Sequence, residues 1–205
     1  VSAQMRRGRD GAETRARIEA EALRLFAEKG VASTSVRDLA QAVGVSEGAL
    51  YRHFASKEAL ARELFLSRYA ELAQTILSVR DYYSGFTARL GEIVRLACAL
   101  FDEEPALFGY LLINQHDHLV HVPAVPEANA VAALALVLED AAGEGASLPQ
   151  PAELAAALTL GMVIQPAVFA VYGRLERPLA AHAPAITQGI LRMLGAPAPK
   201  QEAST

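Results

Sequence analysis

A chain of 205 residues with one cysteine cannot close an intramolecular disulfide. Cys98 stands in the apolar run 96–101, where a buried, inert thiol is expected, and such sparing cysteine use suits a reducing cytoplasm. The chain also lacks the apolar stretch of a secretion signal near its start, where residues 1–12 are polar and carry Arg6, Arg7 and Arg9. No alternating pattern is long enough to make a strand, which leaves an all-α fold. Long hydrophobic runs are scarce as well. Residues 154–172 approach the length of a membrane span, but they include Thr159, Gln165 and Pro166 and are rich in alanine, so a helix buried in a protein interface is expected and no membrane partner.

Positive charge is in short supply, with 19 Lys and Arg against 23 Asp and Glu and a net charge of -4. Evenly spread, that balance would argue against nucleic acid. It is not even: residues 1–60 hold ten basic against eight acidic residues, and 61–205 hold nine against fifteen. A mildly basic head on an acidic body suits a protein whose DNA contacts are confined to one end. Apolar residues, by contrast, make up 52% of the chain, ample for a buried core.

The most informative stretch is 34–58. Ser35 can cap a helix with Asp38 three residues on, and Val36, Leu39, Ala40 and Val43 recur at helical spacing. Gly44 supplies the left-handed position that ends a helix. Ser46 can cap a second, very short helix that packs through Leu50 and Phe54. Two short helices around this turn read as a helix-turn-helix. The second leaves Glu47, Gly48, Ala49, Tyr51, Arg52 and His53 for something other than the core. Gly48 and Ala49 permit close approach of a rigid partner, and Tyr51, Arg52, His53 and Lys57 form a donor-rich cluster of the kind phosphates require.

The run Val-Ser-Glu-Gly-Ala-Leu-Tyr-Arg-His-Phe-Ala-Ser-Lys-Glu-Ala-Leu, residues 45–60, resembles the DNA-binding signature of the tetracycline-repressor (TetR) family of bacterial regulators. The resemblance implies an N-terminal three-helix DNA-binding domain and a six-helix ligand-binding and dimerisation domain, about nine helices in all. It implies that Glu47, Gly48 and Ala49 face base edges in the major groove, that Arg37 can reach a guanine, and that Tyr51, His53 and Lys57 contact phosphates. Glu47 could accept from cytosine N4, and the Ala49 methyl could touch thymine. Ser35 and Ser46 would place backbone N–H groups where anions are favoured.

The expected divisions are a flexible arm over 1–12, the helix-turn-helix domain over 13–56, the helical body over 57–195 and a flexible tail over 196–205. Helix 1 is expected from about Glu13 to Lys29. A long helix from Lys57 to about Ser78 would link head and body. Further helices are expected over 86–103, 105–115, 127–142, 153–175 and 179–194, with Pro166 kinking the fifth of these six body helices.

In the body, Phe101, Phe108, Leu112, Gln115, His116, Met162 and Gln165 are candidate walls of a site for a small-molecule inducer, apolar with a few polar groups. Small and apolar residues of the last two helices, among them Ala156, Gly161, Val168, Phe169, Gly173 and Leu191, offer a homodimer surface, which the resemblance implies is a four-helix bundle. The segment His116-Asp117-His118-Leu-Val-His121 has residue types that ligate zinc or nickel, but it lacks the i, i+4 histidine pair of a helical zinc motif. No metal, no cofactor and no catalytic residue is expected.

The reading is a cytoplasmic transcriptional regulator, a repressor that leaves a palindromic operator in double-stranded DNA when an inducer binds. An activator or inducer-independent DNA binder of the same fold is the alternative. A metal-dependent helical enzyme built on His116, His118 and His121 is the distant one.

Overall fold

The computed structural model describes residues 2–113, 118–149 and 151–196. Among them are nine α-helices and no strand: α1 Ser2–Lys29, α2 Val36–Val43, α3 Glu47–Leu50, α4 Lys57–Tyr82, α5 Phe86–Glu103, α6 Pro105–Phe108, α7 Ala130–Gly143, α8 Ala152–Val171 and α9 Ala183–Met193. A π-helical turn, Gly109–Ile113, continues α6, and 3-10 turns occupy Leu119–His121, Pro126–Ala128 and Leu179–His182.

Some boundaries differ from expectation, each for a local reason. The first helix begins at Ser2 rather than near Glu13, so the arm expected over 1–12 is helical from residue 2. Residues 2–12 hold Ala, Gln, Met and Arg, all good helix formers; only two glycines oppose them and no proline does. α7 starts at Ala130, not Glu127, because the Asn129 side chain accepts from the Val131 and Ala132 N–H groups. α8 stops at Val171, short of Leu175, where Gly173 turns left-handed at φ 66° and Arg174 N–H donates back to the Phe169 carbonyl. The expected tail lies outside the described residues beyond Ala196, as do Gln115 and His116.

The chain forms two compact units, residues 1–68 with 106–121, and 69–105 with 122–205. The division falls inside α4 and returns the middle segment to the first unit, whereas sequence pattern had suggested one boundary near residue 57. In the first unit, Ile18, Ala22, Leu25 and Phe26 of α1 form one buried stripe against Leu39, Ala40 and Val43 of α2 and Leu50 and Phe54 around α3. Leu60, Ala61, Leu64 and Phe65 complete that core from α4. Tyr110 shows why segment 106–121 belongs here. Its ring lies 6.3 Å from Phe26 and 5.9 Å from Phe65, and its hydroxyl donates to the Ala61 carbonyl at 2.7 Å. Burial pushes this phenol's pKa up.

The second unit is built on α5, whose Phe86, Leu90, Val94, Cys98 and Phe101 form a buried stripe. Burial pushes the Cys98 thiol up to about 11, so no reactive thiolate is offered at neutral pH. Asp102 accepts from the Leu179 and Ala180 N–H groups at 2.9 and 2.8 Å and caps the turn before α9. Arg80 grips Asp140 through two bonds of 2.8 and 3.0 Å, Arg89 adds one of 3.1 Å, and Glu144 accepts from the Phe86 N–H at 2.7 Å.

The hydrogen bonds from Arg80 hold the Asp140 carboxyl below its ordinary range. A depressed folded pKa contributes stability that is present above the unfolded value of about 4 and is lost as pH falls through the folded value. Partial exposure screens the pair, so Asp140→Asn is expected to cost about 1 kcal/mol at pH 7. It should also flatten the acid limb of Tm against pH, which thermal melts between about pH 7 and 3 would read.

Candidate nucleic-acid interface

The helix-turn-helix is assembled by local chemistry. At the start of α2, Ser35 Oγ accepts from the Asp38 N–H at 3.0 Å, while Asp38 Oδ2 accepts from the Ser35 N–H at 2.9 Å. This reciprocal cap also holds the Asp38 carboxyl below its usual range, the Ser35 backbone bond being the main cause. α2 ends at Gly44, φ 76°, whose N–H donates to Ala40 and Gln41 while that of Val45 donates to Ala40. Ser46 Oγ accepts from the Ala49 N–H at 3.2 Å and starts α3. Ser35 and Ser46 are therefore placed as caps, with only their hydroxyl protons left for an outside acceptor.

α3 is one turn long and would not persist alone. It buries Leu50, half-buries Ala49, and leaves Glu47, Gly48, Tyr51 and Arg52 exposed, with Arg37 exposed on α2. His53 is half-buried with its ring 6.4 Å from Phe54. Tyr51 is 54% exposed, while Lys57 keeps only 15% of its side chain in solvent, its stem lying along apolar surface. Tyr51 and Lys57 line one shallow groove with Val36, Leu39, Leu50, Phe54, Ser56 and Leu60. Two donors far apart in type, six residues apart in sequence, thus open at one place.

A Cβ built on Gly48 would meet nothing within 4 Å, and its φ is not positive. The chain itself gives no reason for glycine there. Gly48→Ala is therefore expected to raise stability by roughly 0.5–1 kcal/mol while weakening DNA binding about tenfold, through the added methyl at a close approach. Melting curves and titration with duplex DNA read the two signs separately; a stabilised variant with unchanged affinity would remove Gly48 from the contact surface.

Sequence reasoning missed two arginines of α1. Arg17 donates to the Val43 carbonyl, the last of α2, and its guanidinium stands 4.0 Å from where a Cβ on Gly44 would lie. The Arg15 guanidinium sits 4.6 Å over the Phe54 ring and bonds Glu63 of α4 at 3.0 Å and Glu19 at 2.9 Å.

The remaining candidates scatter. Phe101 and Phe108 are buried, Leu112 and Met162 half-buried, but Gln165 is exposed on the same face of α8 as Leu158, Gly161 and Phe169, and so does not line an interior. Of the dimer candidates, Gly161, Phe169 and Gly173 are exposed and Val168 half-buried. Ala156 and Leu191 are instead buried in the core of their own unit, at 3% and 4% exposure, and present no surface to a second chain. His118 is buried with its ring 5.0 Å from Phe65 and 5.8 Å from Tyr110, whereas His121 is exposed. Among the described residues no group of three or more His, Cys, Asp or Glu is placed to hold a metal.

A capped α2–turn–α3 unit on an all-α frame defines the class, a helical helix-turn-helix protein. Residues 18–64 match the family model of the bacterial regulatory proteins of the tetR family, so the family resemblance is that of the DNA-binding head. The regulator AcrR of Shigella flexneri is 38% identical over 73 residues, 36% of this chain and 34% of AcrR. Matches to the curated relatives cover between 20% and 34% of their length. Over the whole fold, the tetR-family regulatory protein from Rhodococcus RHA1 aligns with a TM-score of 0.74 at 23% identity, covering 90% of this chain and 98% of that one. The regulator FadR of Bacillus subtilis, in complex with stearoyl-CoA, aligns with a TM-score of 0.69 at 16% identity, covering 87% and 98%.

Proposed function

We propose that this protein is a homodimeric transcriptional repressor that binds a palindromic operator through two copies of its helix-turn-helix and leaves it when a small molecule binds the C-terminal part. The observation that carries the reading is the exposed face of α3, where Glu47, Gly48 and Arg52 stand free beside the Tyr51–Lys57 groove. Glu47, Ala49 and Arg37 read base edges; Tyr51, His53, Arg52 and Lys57 hold phosphates. The protein works in the cytoplasm, at the nucleoid when bound to DNA.

Dimerisation is assigned to the outer face of α8. Leu154, Leu158, Phe169 and Tyr172 are exposed there, and only 33% of the helix's apolar window is buried. That helix is long and apolar enough to cross a membrane by length and composition, but its place after a helix-turn-helix favours a second copy of the chain as the cover. For the ligand, Phe101 and Met162 of the second unit are the candidate contacts. The stearoyl-CoA bound by FadR makes a fatty acyl thioester the first probe. Ligand and operator would oppose each other by linkage, with a coupling of about 1–3 kcal/mol changing affinity about 5–150-fold.

The test is selection of duplexes from random DNA by the purified full-length protein, then titration of the winner with and without stearoyl-CoA. A palindrome whose binding falls steeply with salt is expected. Failure to enrich any sequence would overturn the DNA reading; a palindrome indifferent to every ligand tried in a wider screen would overturn only the inducible part.

A further inference from the structure

The recognition helix is a single turn, so its pose must be set from outside, and the structure shows α1 touching the chain at both of its ends. Arg15 and Arg17 flank the buried Ile18 on opposite sides of the α1 stripe. Successive helical positions differ by about 100°, so the two guanidiniums leave α1 in different directions. Arg17 reaches the turn before α3. The Gly44 and Val45 N–H groups satisfy the carbonyls of Ala40 and Gln41, and Arg17 takes that of Val43, which the turn leaves over. It also brings a cation to the negative end of α2. Arg15 reaches past α3, lying over Phe54 and bonding Glu63.

We infer that Arg15 and Arg17 form a two-point clamp that fixes α3 relative to α1, and are positioning residues for sequence-specific reading rather than DNA contacts. The inference rests on the DNA-binding reading above. Held at one end only, a one-turn helix can tilt about Leu50, its one buried side chain. Base-edge contacts demand placement within about 0.5 Å, whereas phosphate contacts from long side chains tolerate such a tilt. The clamp therefore governs specificity more than affinity for DNA as such.

The experiment compares full-length wild type, the double variant Arg15→Ala/Arg17→Ala and the conservative Arg15→Lys/Arg17→Lys on the duplex selected by wild type and on an unrelated duplex of equal length. Circular dichroism and Tm confirm that each is folded at the temperature used. The double alanine variant is expected to lose about tenfold in the ratio of selected to unrelated affinity, comparable to one mismatched base pair, with the salt slope unchanged. The lysine pair, which keeps a cation over Phe54 and a donor near Val43, should recover part of the ratio. Should the alanine pair not stay folded, the lysine pair and each single alanine variant carry the same comparison. An unchanged ratio in folded variants overturns the clamp. So does an equal fall on both duplexes with a salt slope shallower by about 0.9 per arginine, because that is the signature of direct phosphate contact. If wild type itself selects no duplex, the DNA reading fails before the clamp is tested.

Discussion

Replacing Tyr51 with alanine and Lys57 with methionine together is expected to weaken operator binding about a hundredfold while leaving the fold intact. Tyr51 is mostly in solvent, so its removal costs the core little. Lys57 needs more care, because its stem is buried; methionine keeps that stem against Leu39 and Leu60 and removes only the charged end. Its ammonium has a weak local partner in Glu58 Oε1 at 3.6 Å, which an incoming phosphate can replace. Hydrogen bonds to charged groups contribute about 1.5–3 kcal/mol each, so two lost phosphate contacts give two decades or more. The lysine also carries a countable signature. Each neutralised phosphate contributes about 0.9 to the slope of log affinity against log salt, so the slope should become shallower by about that amount per subunit, Tyr51 adding nothing. Titrations of the selected duplex at several salt concentrations give both numbers. Undiminished affinity with an unchanged slope would mean that this groove does not face the DNA backbone.

How much of this was legible in the sequence depended on whether the cause was local. The caps at Ser35 and Ser46, the left-handed Gly44 and the buried Leu50 and Phe54 follow from neighbours within four residues, and each could be read from spacing. The reach of α1 to Ser2 was missed because polar residues carry no periodicity even where their helix propensity is good. The swing of Tyr110 to Phe26 and Phe65 joins residues 49 positions from Ala61, and no local pattern announces such a contact. The arginine clamp was illegible for the same reason: Arg17 and Val43 are 26 residues apart. On α8, alanines and glycines suggested an interface without saying which side was inward. Ala156 turned out to be core and Gln165 surface, because α8 is apolar on its exposed face as well as its buried one, and a helix apolar all round shows no period to read.

The exposed stripe of α8 leads to the largest expected change in behaviour. Leu154, Leu158 and Phe169 lie within one face of α8, with Gly161 and Gln165 between them and Tyr172 just past its end, and Phe169 and Tyr172 are 50% and 76% exposed. Fully burying such side chains is worth about 1.5–3 kcal/mol each, and half-exposed ones roughly half that, so four per copy offer several kcal/mol against an association cost of about 4–15 kcal/mol. The balance is close, and a charge in the middle of the face should tip it. Leu158→Arg with Phe169→Glu places unpaired charges where burial demands none, provided the two do not meet across the dyad; Leu158→Arg with Phe169→Arg removes that escape. Either pair is expected to be monomeric by light scattering at micromolar concentration. Operator affinity should fall by about 10²–10⁴, because linked half-sites lose their effective concentration when the subunits part. Affinity for a single half-site should not change. Ala156→Arg supplies the contrast: Ala156 is inside its own unit, so this variant should unfold rather than dissociate. A chain carrying both arginines on the face that remains dimeric, with full operator affinity, would move the interface away from α8 and leave its apolar stripe to another partner.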